Sequence, residues 1–331
     1  MIDGNSLLQT GFHGVKDYFH NGKHFGAIYH FLNTIRKYLI EKDYDKVVVF
    51  WDGKNNASYR QEIYENYKIN RRKRLTDDQR TDLFRQKNRI TQYLEEVFVR
   101  QAEFDNCEAD DCIAYYCKNT PKENKLILTN DKDLSQLVSS HTQVLFINDG
   151  SKIELDGKVT IAKLTIPTTN VTLLKVLLGD KSDNIKGVKF LGEKTIKTYF
   201  PEIEEKTITL TDVINKANVL VKEEKIKNKG LSNLVEGICA DGRKGDTFFE
   251  INEKLVDLTE VFLNKEAKED ILSLIDENLD PEGRNYENIV TMMSEDGIFN
   301  VLPKKDDGWT EFYKPFIRLT KKEIKNYERK S

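Results

Sequence analysis

Lys46-Val47-Val48-Val49-Phe50-Trp51-Asp52-Gly53 is the stretch that decides the fold. A short apolar run, rich in β-branched and aromatic residues and closed by Asp-Gly, reads as a strand running into a turn. Two further runs, Lys125–Leu128 and Gln143–Ile147, read the same way. Between the strands, residues 26–42 carry helical periodicity, with Ile28, Phe31, Leu32, Ile35, Leu39 and Ile40 on one broad stripe. Strands alternating with amphipathic stretches predict an α/β fold with a mainly parallel central sheet. The chain opens Met1-Ile2-Asp3-Gly4-Asn5, the last residues of a strand entering a turn. That strand is short for a sheet element.

The 331 residues suffice for a full core and suggest two domains. Hydrophobic content of 38% with 32% charged residues fits a cytoplasmic globular protein without signal peptide or membrane span. A net charge of −3 does not advertise a nucleic-acid binder, so the distribution of charge has to decide. Cys107, Cys112, Cys117 and Cys239 contain no C-x-x-C pair and read as small buried hydrophobes rather than a disulfide or zinc framework.

Further along, residues 53–104 are rich in charge and aromatics and read as a helical insertion between strands, closed by the strand-like VFVRQAEF. A helix is expected near Val171–Leu178, ended by Gly179, and from about residue 202 onward the chain reads as mostly helical. The expected division is an α/β domain over 1–170, with its arch at about 53–104, and a helical region over 171–331.

Nine carboxylates fall at or beside element ends: Asp3, Asp52, Glu108, Asp110, Asp111, Asp131, Asp133, Asp180 and Asp183. Singly, each suits a cap or a turn. Three acids in EADD exceed what capping needs, and their repulsion asks for a counter-charge, yet no base follows before Lys118. An Asp-x-Asp after a strand points both carboxylates to the sheet's C-terminal edge, where open α/β sheets bind ligands. Gathered in one cleft, such acids need cations. Oxygen ligands without His or Cys select Mg²⁺, with Mn²⁺ as its substitute. Two such ions about 4 Å apart can clamp the attacking and leaving oxygens of a phosphodiester.

IDGNS at 2–6, FWDG at 50–53, YKINRRK at 67–73, EADD at 108–111, TNDKDLSQL at 129–137 and GDKSDNIKGVKFLG at 179–192 occur in one order over about residues 1–200. In this set the chain resembles the flap endonuclease and 5′→3′ exonuclease superfamily, in particular its bacteriophage RNase H-type and bacterial polymerase-associated members. The resemblance implies that Asp3, Asp52, Glu108, Asp110, Asp131 and Asp133 surround one metal ion, and that Asp111, Asp180 and Asp183 serve a second. It also implies that Lys68 and Arg71 contact the scissile phosphate. The expected activity is hydrolysis of DNA, and of RNA primers, at 5′ ends or flap junctions during replication or repair.

Lys68, Arg71, Arg72, Lys73 and Arg74 place five bases in seven residues, preceded by Tyr59, Ile63, Tyr64 and Tyr67 at helical spacing. Bases mixed with aromatics suit a single strand, with Arg72 and Lys73 on phosphates and Tyr67 stacked on the terminal base. For Tyr59 and Tyr64, packing of the insertion onto the body is the equal alternative. The stretch 185–195 resembles a helix-hairpin-helix, whose Gly187 and Gly192 would let the backbone approach a phosphate. Lys186, Lys189, Lys194 and Thr195 complete the expected duplex grip, and the motif implies a K⁺ site. Phe190 stands where the family carries Gly.

Trp309, Phe312 and Tyr313 read as core rather than as a sliding-clamp box. The expected partners are DNA with a 5′ end, a flap or an RNA–DNA primer junction, together with replication proteins such as a single-strand-binding protein or a clamp. A monomer that engages no membrane is expected. The alternatives are a PIN-type ribonuclease and a module that binds flaps without cutting.

Overall fold

The computed structural model describes residues 1–70, 75–276, 279, 281–302 and 308–330. The chain forms two compact units, one of Met1–Gly53, Leu75–Phe104 and Asn264–Ser331, the other of Lys54–Arg74 and Asp105–Leu263. The fold is α/β, with mainly parallel strands.

In the first unit, Val48–Asp52 is the middle strand, parallel to Ile2–Asp3 on one side and to Arg100–Phe104 on the other. Asp3 is in register with Phe50 and Val48 with Arg100. Val48, Val49, Phe50 and Trp51 are all buried, the signature of a strand covered on both faces. Helix Gly26–Glu41 buries Ile28, Phe31, Leu32, Ile35 and Leu39, and Phe31 stacks on Trp51 with centroids 5.4 Å apart. Ile40, assigned to that stripe from its spacing, is instead exposed. Helix Asp77–Glu96 starts at a capping box in which Thr76 and Gln79 bond reciprocally, and it buries Gln86, Ile90, Tyr93 and Leu94. Helix Gly308–Lys330 buries Phe312, Tyr313, Phe316 and Leu319, so the aromatic segment is core, with Trp309 at its exposed end. Glu323 on that helix pairs with Arg100, whose Nε also donates to Leu274 O at 2.9 Å.

In the second unit, Lys125–Thr129 runs parallel to Thr142–Phe146, and Lys152–Ile153 joins the latter antiparallel. A hairpin of Lys158–Ile161 and Leu164–Pro167 was not legible in the sequence. Its two-residue link, Ala162-Lys163, takes positive φ at both residues without the Asn-Gly or Asp-Gly that normally signals such a turn. Helix Val171–Leu178 ends at Gly179, whose φ of +75° suits glycine. Helices Leu210–Asn218, Lys229–Val235 and Thr247–Val256 follow, and the first unit's last part adds Lys265–Asp276, Tyr286–Asp296 and Gly308–Lys330. No disulfide joins any of the four cysteines, and all but Cys117 are buried. Among the described residues, no helix is long and apolar enough to cross a membrane.

Candidate metal centre

Asp3 and Asp52 stand at the C-terminal ends of their strands in the first unit. Asp3 is buried and caps helix Gly4–Gly14, accepting from Ser6 N at 3.0 Å. Gly4 is required by packing: a Cβ there would lie 2.5 Å from the Trp51 ring. Asn5 Nδ2 donates to Asp52 Oδ2 at 2.6 Å and fixes that carboxylate. The short motifs IDGN and FWD thus lock together.

Six of the other seven predicted acids form a connected group within the second unit, and each is placed by local structure. Glu108 precedes helix Ala109–Asn119, and Asp110 and Asp111 lie in its first turn, where acids face unpaired N–H groups. Asp110 is half-buried on that helix. Asp131 follows strand Lys125–Thr129, and its Oδ1 accepts from the N–H of Asp133 at 2.9 Å, a turn that sets both carboxylates. Asp180 accepts from Ser182 N and Oγ at 2.7 and 2.5 Å, and from Asp183 N at 3.4 Å.

Three basic side chains are set among these acids. Arg60, on the short helix Ser58–Ile63, is buried and grips Asp111 with both terminal nitrogens, at 2.6 and 3.0 Å. It also donates to Glu108 at 3.2 Å and, through Nε, to Leu255 O at 3.1 Å. Burial opposes its charge, but Asp111 and Glu108 outweigh that and hold the guanidinium well above its ordinary pKa. Lys68 Nζ lies 2.7 Å from Glu108 Oε1 and 3.8 Å from Asp183 Oδ2. Lys175 pairs with Asp133 and, at 2.5 Å, with Asp180. Burial works against the Lys175 ammonium as well, and Asp133, Asp131 and Asp180 hold its pKa above the usual lysine value. The ammonium in turn draws Asp180 down to about 2 against its burial. Asp133 goes the other way: burial, joined by Asp131 and Asp180, pushes it up to about 7 in spite of Lys175.

Asp133, Asp180 and Asp183 offer oxygens that all lie within 4.8 Å of one another. A set of carboxylates at this spacing, with no nitrogen or sulfur donor, fits a hard divalent cation. Such an ion would also offset the repulsion between Asp133 and its neighbours Asp131 and Asp180.

Tyr67 departs from its expected role. Its side chain is buried, its hydroxyl donates to Glu108 at 3.1 Å and to Asp183 at 3.3 Å, and Lys68 and Arg60 sit 4.9 and 5.9 Å from the ring centroid. That ring is not available to stack on a base. Burial lifts its hydroxyl well above the ordinary tyrosine pKa, so it remains a donor to the carboxylates. Arg71, Arg72 and Lys73 lie outside the described residues. Arg60 and Lys175 were missed from sequence. Arg60 is a single base 48 residues before the Glu108 it pairs with, and Lys175 sits in an otherwise apolar helix.

The hairpin residues divide in two. Gly187 is buried, and a Cβ on it would come within 2.4 Å of Gly179 N and Leu177 O, so this glycine serves close backbone packing. Gly192 is exposed, and a Cβ there would meet nothing within 4 Å. It precedes helix Glu193–Tyr199, on which Lys194 is exposed and Thr195 half-buried. Lys186 and Lys189 are also exposed. Gly187→Ala is therefore expected to lower stability by about 1–3 kcal/mol in denaturant unfolding. Gly192→Ala should unfold like the parent but bind duplex DNA more weakly by fluorescence anisotropy. Unchanged affinity would remove Gly192 from the duplex grip.

Fold and site define an α/β protein with a carboxylate-rich centre suited to divalent cations. The family described as 5′-3′ exonuclease, N-terminal resolvase-like domain, matches residues 1–164. The 5′-3′ exonuclease of Halalkalibacterium halodurans is 30% identical over 226 residues, covering 62% of this chain and 73% of that protein. The chain belongs to the 5′-3′ exonuclease family. DNA polymerase I of Borreliella burgdorferi is 27% identical over 295 residues, covering 85% of this chain; the chain spans 32% of that relative's length. Among solved structures, a bacteriophage T5 flap endonuclease, in a pseudo-enzyme-product complex with DNA and metal ions, shares the fold. The TM-score is 0.59 at 17% identity, with 89% of this chain and 98% of that chain covered.

Proposed function

We propose that the chain is a divalent-cation-dependent, structure-specific 5′ nuclease that hydrolyses DNA, and RNA primers, at 5′ ends or flap junctions. The convergence of Asp133, Asp180 and Asp183 within 4.8 Å carries this reading, supported by family membership. Mg²⁺ is the proposed cation, with Mn²⁺ as substitute, in two positions. Glu108, Asp110, Asp111, Asp131, Asp133, Asp180 and Asp183 are the proposed ligands in the second unit, and Asp3 and Asp52 carry the same proposed role. Bound there, such cations supply Lewis-acid activation of water and of the phosphodiester.

The chain's own residues do the positioning. Arg60 holds Glu108 and Asp111 in fixed orientation. Lys68, kept beside Glu108, brings a positive charge to the phosphate as negative charge builds on it in the transition state. Arg71 is proposed to share that task, with Arg72 and Lys73 holding the strand's phosphates in an arch. Lys186, Lys189, Gly192, Lys194 and Thr195 are proposed to hold duplex backbone, with a K⁺ ion at the hairpin, while buried Gly187 supports the hairpin through close backbone packing. Action as a cytoplasmic monomer during replication or repair, beside a single-strand-binding protein or a clamp, completes the proposal.

Lys68→Ala is expected to lower the single-turnover rate by about 10²-fold or more, the scale of losing one transition-state stabiliser. A loss confined to affinity would make Lys68 a phosphate grip only. The substrate assignment is tested by offering a 5′-flap duplex and an equal-length single-stranded RNA with Mg²⁺. Cutting at the flap junction is expected. Cutting of the RNA alone favours a PIN-type ribonuclease, and binding without cutting favours a recognition module.

A further inference from the structure

A cleft of about 610 Å³ in the second unit is lined by Phe190, Val221, Lys225, Ile226, Lys227 and Lys229, among others. No Asp or Glu is among its described lining residues. Phe190 is 66% exposed and has φ of +63°, and Lys225 on the opposite loop has φ of +54°. A bulky side chain in left-handed backbone is disfavoured, and one this exposed gains little burial in return. Its packing within the chain therefore does not account for it.

The two loops are tied together. Asn233 Nδ2 donates to Lys189 O at 2.6 Å, and Gly230 packs so closely that a Cβ would lie 2.7 Å from Phe190 O. Asn228 holds the second loop by accepting from Gly230 N and Leu231 N at 2.9 and 3.1 Å. The ammonium groups of Lys189 and Lys229 stand 5.4 and 6.0 Å from the Phe190 ring centroid. An exposed ring with two lysine ammonium groups near it is thus held on a braced support.

We infer that this cleft is a second nucleic-acid contact, which takes a single strand with one base against Phe190 and its phosphates on Lys225, Lys227 and Lys229. The inference rests on the nuclease reading proposed above. Charge selects a polyanion, and continuity with the hairpin selects nucleic acid over an acidic peptide. The ring selects a single strand, because a duplex keeps its bases stacked inside and offers no face to Phe190. Stacking on a ring and ion pairing with phosphates read no base edge, so the contact would be indifferent to sequence.

The test uses Phe190→Gly, Phe190→Trp and the double variant Lys225→Ala/Lys227→Ala. Glycine suits the backbone at 190, and thermal melts check that each variant folds. Anisotropy with EDTA present reads affinity for a labelled oligothymidine, for a blunt duplex and for a poly-glutamate peptide. Phe190→Gly should weaken oligothymidine binding about tenfold or more, the scale of one lost stacking contact, with Trp restoring it. The lysine variant should weaken the same ligand and flatten its salt dependence. Duplex affinity should change less than twofold. Unchanged oligothymidine affinity in both the Gly and lysine variants overturns the inference, as does an equal loss on duplex, or binding of poly-glutamate in preference to the oligonucleotide. Failure of the nuclease reading is distinguishable, since the unsubstituted protein would then not cut a 5′ flap with Mg²⁺.

Discussion

Asp131→Asn is expected to lower flap cleavage by at least about 10²–10³-fold while leaving DNA binding measurable, the larger losses seen when one transition-state electrostatic group is removed. The substitution isolates charge from shape. Asp131 Oδ1 accepts the Asp133 N–H at 2.9 Å, and an Asn Oδ1 can accept the same bond. The turn that aims Asp133 should therefore survive. What disappears is one negative charge beside Asp133 and Lys175, both of which sense it. Single-turnover cleavage with saturating enzyme separates the rate from binding. Unchanged turnover would remove Asp131 from the reacting centre.

Arg60→Ala should produce the largest loss of stability. Arg60 and Asp111 are both buried, and their two hydrogen bonds are charge-assisted and bidentate. Removing the guanidinium leaves Asp111 and Glu108 as buried carboxylates deprived of this partner, and breaking such a pair costs about 3–5 kcal/mol. It also frees Leu255 O and removes the cation 4.9 Å from the Phe262 ring. Urea unfolding should show the lower midpoint, and Mg²⁺ should recover part of it if a cation reaches Glu108 or Asp111. An unchanged midpoint would show that water or another base takes over from Arg60.

The fold was legible wherever one short run carried its own signal. Val48–Trp51 announced a buried strand, Gly179 ended its helix, and Phe312-Tyr313 entered the core as their hydrophobicity suggests. The acids were legible because turns and helix starts place carboxylates by local rules, as Asp131 and Asp133 do. Partners from distant segments left no such trace. Arg60 and Lys175 compensate the cluster through contacts that no spacing encodes. The Ala162-Lys163 turn uses residues that do not advertise positive φ. Aromatics beside basic residues suit single strands, yet the Tyr67 hydroxyl is directed to Glu108 and Asp183. A side chain's type was readable in these cases, but the direction in which it points was set by tertiary packing.

The most direct measurement is single-turnover cleavage of a 5′-flap duplex across a Mg²⁺ titration that begins in EDTA. No cleavage is expected in EDTA, with a rate that rises and saturates as Mg²⁺ is added and returns to zero on renewed chelation. Cleavage that persists undiminished in EDTA would contradict a cation-dependent centre at Asp133, Asp180 and Asp183.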